Sequence, residues 1–139
     1  MSEAESLFGD EHVRRYRETG GKVGHDWKQG SKILLLTTKG RTSGEQRTTP
    51  LIYEADGDRY VIVASKGGAP DDPGWYLNLA KEPEVELQVW GEVIPARAST
   101  AEGEERDRLW KLAAKQWPDY DSYAKNTDRQ IPVVVLERR

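Results

Sequence analysis

Two tight turns constrain this chain more than any other feature. Asp56-Gly57 separates the run Arg47 to Ala55 (RTTPLIYEA) from Arg59 to Ala64 (RYVIVA), and Gly91-Glu92 separates Val85 to Trp90 (VELQVW) from Val93 to Ala98. An Asp-Gly pair between two β-rich runs is a hairpin signal, because both residues tolerate the backbone such turns need. Val85, Leu87 and Val89 alternate with Glu86, Gln88 and Trp90, the period of a strand with one buried face. Ser31 to Thr38 (SKILLLTT) and Ile131 to Leu136 (IPVVVL) are apolar runs of strand length. About six strands joined mostly by short connections pair antiparallel. A barrel, closed or split, hides their edges best. Pro95 marks an edge or a bulge in its strand.

Helices fill the longer intervals. Residues 7–18 (LFGDEHVRRYRE) read as a short helix with Leu7, Val13 and Tyr16 on one stripe, stopped by Gly20-Gly21. PGWYLNLAKEP follows Asp72 as N-cap, with Pro73 in the first helical position and Pro83 as terminator. Ser99 and Glu102 have the spacing of a capping box for a helix over about 100–117, with Leu109, Trp110, Ala113 and Trp117 as its stripe. Residues 120–126 add a further short helix. The expected fold class is α+β: a barrel of about six mostly antiparallel strands with three helices. A chain of 139 residues suits one domain over 1–139, with 1–29 as an N-terminal helical segment.

Composition removes several functions. The net charge of -3 argues against a general nucleic-acid binder. The absence of cysteine excludes disulfides and thiol catalysis. No apolar run approaches the roughly 20 residues of a membrane span. The acidic start MSEAESLFGDEH lacks the apolar core of a signal peptide, so a cytoplasmic protein is expected. His12 and His25 are not at metal-ligand spacing and read as surface residues, and no metal is expected. Five tryptophans and six tyrosines against one phenylalanine suit flat ligands.

Three stretches carry chemistry. In KGRTSGEQR, Lys39, Arg41 and Arg47 bracket Gly40, Thr42, Ser43 and Gly44. Glycine lets backbone N–H groups converge on an anion, and arginine supplies a donor fork that fits phosphate. The spacing is not that of a Walker loop. In ASKGGAPDDPGWYLNL, a strand end with Ser65 and Lys66 runs through glycines to a helix start and Trp75-Tyr76, a setting that favours anions and polar ring edges. In WPDYDSYAKNTDRQIP, Tyr120 and Tyr123 stand three apart, on one face of a helical turn.

Taken together, LLLTTKGRTSGEQRTTPLIYEADGDRYVIVASKGGAPDDPGWYLNL, EPEVELQVW and YDSYAKNTDRQIPVVVLER resemble the deazaflavin-dependent nitroreductase family of actinobacteria and their relatives. The resemblance covers about residues 30–137, and "GRxSGxxR…PL", "ASKGG" and "WYxNL" occur in that order. It implies a split β-barrel related to FMN-binding barrels and a cofactor, coenzyme F-420, whose phospholactyl-oligoglutamate tail is anionic. By resemblance, the cationic loop (Lys39, Arg41, Thr42, Ser43, Gly44 and Arg47) holds the tail. Thr49, Pro50 and Leu51 border the deazaflavin ring, and Val63, Ala64, Ser65 and Lys66 surround ring and phosphate. Trp75 and Tyr76 shape the pocket beside it. Thr42 departs from relatives that carry Lys or Arg there, which puts one tail contact in doubt. Trp117 stands where some relatives have tyrosine.

The resemblance further implies hydride transfer from C5 of reduced F-420 to a flat electron-poor acceptor: a quinone, enone, lactone or nitroaromatic. Trp75, Trp117, Tyr120 and Tyr123 are the expected acceptor contacts. Ser65, Tyr120 and Tyr123 are the expected donors to the oxygen that gains charge. The implied partner is this small molecule, with no nucleic acid, and with peripheral membrane contact where the acceptor is a lipid quinone. Two alternatives stay open: an FMN-binding split-barrel oxidoreductase, and a non-catalytic F-420 binding protein.

Overall fold

The structure is a computed structural model that describes residues 9–68 and 71–139. Six antiparallel strands close a barrel: β1 (Lys32–Lys39), β2 (Gln46–Asp56), β3 (Arg59–Val63), β4 (Glu84–Val89), β5 (Glu92–Thr100) and β6 (Val133–Arg138). Their order around it is β1-β2-β3-β6-β5-β4, with β4 returning to β1 through Leu35↔Gln88, Leu36↔Leu87 and Thr37↔Glu86. Among the described residues, four α-helices decorate it: α1 (Gly9–Thr19), α2 (Gly74–Lys81), α3 (Gly103–Gln116) and α4 (Asp119–Lys125). The fourth is the short segment expected near 120–126.

β1 is buried on both faces, which is why its sequence does not alternate. Leu34 and Leu36 enter the barrel with Leu87, Ile94 and Val134, while Ile33 and Leu35 pack outward against Val13 and Tyr16 of α1. The helical stripe is therefore real at Val13 and Tyr16; Leu7 lies outside the described residues. At the end of α1, the N–H of Gly21 donates to the carbonyl of Tyr16 at 2.9 Å, and Gly20 has φ +61°. That left-handed residue stops the helix.

Several local signals lose to tertiary contacts. Ser99 and Thr100 belong to β5, paired with Val135 and Val134, so no capping box forms and α3 begins at Gly103. Asp72 does not cap α2; its carboxylate accepts from Arg129 at 2.8 Å instead, and Pro73 occupies the cap position. Trp90 is a turn residue with φ +55° rather than the end of a strand. Its N–H donates to the Tyr16 hydroxyl at 2.8 Å, and its ring stacks on His25 with centroids 3.7 Å apart. Both histidines are buried, not on the surface: His12 is 2% and His25 3% exposed. His25 meets the Tyr53 hydroxyl at 2.8 Å and the Asp26 carboxylate at 2.9 Å, and burial pushes its pKa below the ordinary histidine value.

Candidate active site

The barrel opens along β2. This strand pairs with β1 from Lys32↔Tyr53 to Lys39↔Gln46, but with β3 only at Glu54, Ala55 and Asp56. From Gln46 to Tyr53 its second edge has no partner strand among the described residues. Pro50 sits in that interval, where a missing N–H costs least. The gap is a cavity of about 510 Å³, within the usual range for small-molecule sites.

Thr49, Pro50, Leu51 and Ile52 of β2 form one wall of the cavity. Val63, Ser65 and Lys66, at the end of β3, form another, with Pro73 and Trp75 at the start of α2. Trp117, Tyr120 and Tyr123 come from the end of α3 and from α4; Gly9, His12, Trp27 and Ile33 complete the lining. Ten expected site residues thus converge: Thr49, Pro50, Leu51, Val63, Ser65, Lys66, Trp75, Trp117, Tyr120 and Tyr123.

The strand end after β3 owes its shape to local chemistry. Ala64 extends the sheet by one bond, its N–H donating to Pro132 at 2.9 Å. Lys66 then turns the chain with φ +46°, an unusual conformation for a side-chain-bearing residue and a common one at ligand sites. Gly68 has φ +84°, and a Cβ there would lie 2.8 Å from the backbone oxygen of Tyr123. Glycine therefore lets α4 approach, which is how the tyrosines reach the cavity. Arg129 fixes the same turn. Its guanidinium donates to the carbonyls of Ala64 (3.2 Å) and Ser65 (2.7 Å) and to Asp72 (2.8 Å).

The hydroxyls of Ser65, Tyr120 and Tyr123 have no hydrogen-bond partner among the described residues. Three hydroxyls without a partner on one cavity mark a place for a polar ligand edge. Burial pushes the Tyr120 hydroxyl well above the ordinary phenol pKa, so it stays protonated and donates. The aromatic faces are ordered among themselves: Trp27 lies near-parallel to Trp117 with centroids 6.1 Å apart, and Tyr120 packs edge-on to Tyr123 at 6.2 Å.

The cationic loop spends several of its backbone donors on its own turn. The N–H groups of Gly40 and Gly44 donate to Glu45 (2.7 Å) and Gly40 (2.9 Å), and that of Glu45 to the Ser43 hydroxyl at 3.1 Å. These donors close the loop on itself and are not free for an anion. Arg41 is tied to α2, donating to Asn78 at 2.9 Å, while Asn78 reaches Thr38 at 3.2 Å. Lys39, Thr42 and Arg47 are exposed. Arg47 lines a second groove, between α1 and β2, with Arg14, Arg17, Thr48 and Thr49. Thr49 belongs to both hollows, so this groove meets the cavity. Ala64 and Tyr76 do not line the cavity; the Tyr76 hydroxyl lies 2.9 Å from that of Thr100.

Sequence reasoning missed His12, Trp27, Asn78 and Arg129. Trp27 lies in a segment without informative periodicity, and His12, though inside the expected helix, was read as a surface residue. Arg129 had one local cue, its place in the NTDRQIP stretch. No group of His, Asp and Glu able to hold a metal ion exists among the described residues.

Residues 9–138 match the family described as F420H(2)-dependent quinone reductase. An F420H(2)-dependent quinone reductase of Mycobacterium tuberculosis (strain H37Rv) is 43% identical over 131 residues, 92% of this chain and 88% of the relative. The solved F420-H2 dependent reductase FDR-A superposes with a TM-score of 0.71 at 44% identity, over 76% of this chain and 93% of that one. A solved domain-swapped dimer gives 0.74 at 40% identity, over 90% and 92%. A heme binding protein from Mycobacterium smegmatis, 18% identical with a TM-score of 0.61 over 78% of this chain and 47% of that one, shares the fold alone.

Proposed function

Because this chain belongs to the F420H(2)-dependent quinone reductase family, we propose that the cavity beside β2 is where the reduced deazaflavin and a flat electron-poor acceptor meet. The protein is a coenzyme F-420-dependent oxidoreductase of the split-barrel type. The observation that carries the site is the cavity itself: aromatic walls, three unpaired hydroxyls, and cations at its margins.

The residues fit the cofactor. A ring system with polar edges suits Thr49, Pro50 and Leu51 on one side and the Val63–Lys66 strand end on the other. Lys66, which is exposed, and the arginines of the adjoining groove suit an anionic tail. Arg41, Ser43 and Arg47 hold the tail, with Lys39, Thr42 and Gly44 completing the loop; Trp75 shapes the pocket, and Tyr76 packs edge-on to it from outside the lining. When bound, reduced F-420 supplies the hydride. The chain's own residues do the rest. Trp75, Trp117, Tyr120 and Tyr123 flatten the acceptor against the reacting face and exclude water. Ser65, Tyr120 and Tyr123 donate hydrogen bonds to the acceptor oxygen as charge develops there. A quinone is the acceptor class of this reading, with enones, lactones and nitroaromatics as further candidates by shape.

The same reading includes a single reductase domain over 1–139 that works in the cytoplasm and touches a membrane surface only when its acceptor is a lipid quinone. No helix among the described residues is long and apolar enough to cross a membrane. The test is a fluorescence titration with F-420 and, in parallel, FMN. Micromolar F-420 binding with little response to FMN, followed by quinone-dependent oxidation of the reduced cofactor, supports the reading. FMN binding alone moves the chain to the flavin branch. F-420 binding without turnover of any acceptor makes it a carrier.

A further inference from the structure

His12 is a buried titratable group that the reading above leaves unused. It projects from α1, is 2% exposed, and forms part of the cavity wall beside Trp27, with ring centroids 5.9 Å apart. Its Nε2 lies 2.8 Å from the carbonyl oxygen of Gly24. A carbonyl only accepts, so Nε2 carries the hydrogen of that bond, and the contact sets both ring orientation and tautomer. Gly24 makes the approach possible: its φ is +115°, and a Cβ there would lie 3.1 Å from Cδ2 of the imidazole. Nδ1 has no partner among the described residues, yet it is not one of the buried side-chain atoms sealed away without one. A ring nitrogen that is neither bonded nor sealed, on a residue lining a cavity, is open to whatever fills that cavity.

We propose that His12, through Nδ1, hydrogen-bonds the acceptor oxygen and supplies the proton that completes its reduction. This rests on the cofactor and acceptor assignment above. The hydride brings both electrons, so the acceptor is reduced and F420H(2) oxidised. Nδ1 first takes a proton from solvent; that N–H bond then breaks as an O–H bond forms on the acceptor. The neutral ring keeps its Nε2–H on Gly24 and recovers a proton from solvent through the cavity mouth. Around the imidazole stand the Gly24 carbonyl, the Trp27 indole and the Tyr16 ring, while Lys66, Tyr120 and Tyr123 line the same cavity. Histidine is the side chain used most often for proton transfer in enzymes.

The test compares wild type with His12→Gln, which keeps an N–H for Gly24 and removes Nδ1. The first readout needs no cofactor: quenching of tryptophan fluorescence by menadione, a soluble naphthoquinone, since Trp27 and Trp117 line the cavity. The variant's affinity for menadione falls about three- to tenfold, the range of one lost hydrogen bond. Its F-420 affinity is unchanged, and kcat with menadione falls about 100-fold. His12→Asn, which returns an N–H near Nδ1 but cannot ionise, recovers menadione binding and not kcat. Wild-type affinity together with wild-type kcat in His12→Gln overturns the proposal. Should that variant not fold, the ¹⁵N resonance of Nδ1 in the wild type decides: a shift on adding menadione supports the contact, and no shift refutes it. Failure of wild type to bind F-420 defeats the cofactor assignment instead, and the menadione arm still reports on His12.

Discussion

Replacing Arg129 by alanine removes the clamp that joins the end of β3 to the start of α2. The guanidinium is 15% exposed and makes bonds to two backbone carbonyls and to Asp72, itself 30% exposed. A hydrogen bond to a charged group contributes about 1.5–3 kcal/mol. These bonds share one group, and Asp72 is partly solvated, so they do not add. The expected loss is about 3 kcal/mol, near the lower end of what breaking a buried pair costs. For a chain of 139 residues this lowers Tm by roughly 10 °C. Arg129→Lys keeps the charge but not the fork, so it loses about half of that. The carbonyls it holds belong to Ala64 and Ser65, so both variants also weaken F-420 binding, by roughly tenfold for alanine. The assay is scanning calorimetry with and without F-420, plus a fluorescence titration at a temperature where the variant is folded. A Tm drop under about 2 °C with unchanged F-420 affinity would refute the clamp.

Arg47→Ala weakens F-420 binding about tenfold or more, and the loss shrinks in high salt; unchanged affinity in the titration removes Arg47 from the site. Tyr120→Phe lowers kcat about tenfold while leaving F-420 affinity intact, because only a donor to the developing charge is lost; an equal rate shows that its hydroxyl does not act. Asp56 gives a pH prediction. The guanidiniums of Arg108 and then Arg59 hold its carboxyl well below the usual carboxylate range. A depressed carboxylate stabilises the fold above its unfolded pKa of about 3.9, and that contribution is lost as pH falls further. Thermal melts of the wild type between pH 5 and 2 therefore show a slope that Asp56→Asn flattens, and parallel slopes would count against it.

How far the sequence discloses this molecule depends on whether a residue's partner is near in the chain. Val85, Leu87 and Val89 announce their buried face through alternation, and Asp56-Gly57 announces its hairpin. The cavity's strand and tyrosine residues were legible through the resemblance, which carries their order along the chain. Ser99 and Glu102 misled because the local bond a serine offers a helix is weaker than the ladder β5 builds with β6. Asp72 misled for a related reason: its partner, Arg129, stands 57 residues away. The histidines were misread because a polar side chain is buried only when it finds a partner. For His12 that partner is a carbonyl across a glycine loop, and for His25 it is Tyr53, 28 residues on. The loop glycines at Gly40 and Gly44 suggested an anion nest, but a short loop first uses its own N–H groups to close.

The strand order carries a consequence for how the molecule is made. β6, the last strand along the chain, lies between β3 and β5 rather than at an edge. Until it arrives, both neighbours display open edges, and such edges recruit foreign strands. Closure of the barrel therefore waits until β6 has been made. Pairings that span most of the chain are slow to form. Before β6 is in place, the nascent protein therefore carries the facing edges of β3 and β5 unsealed.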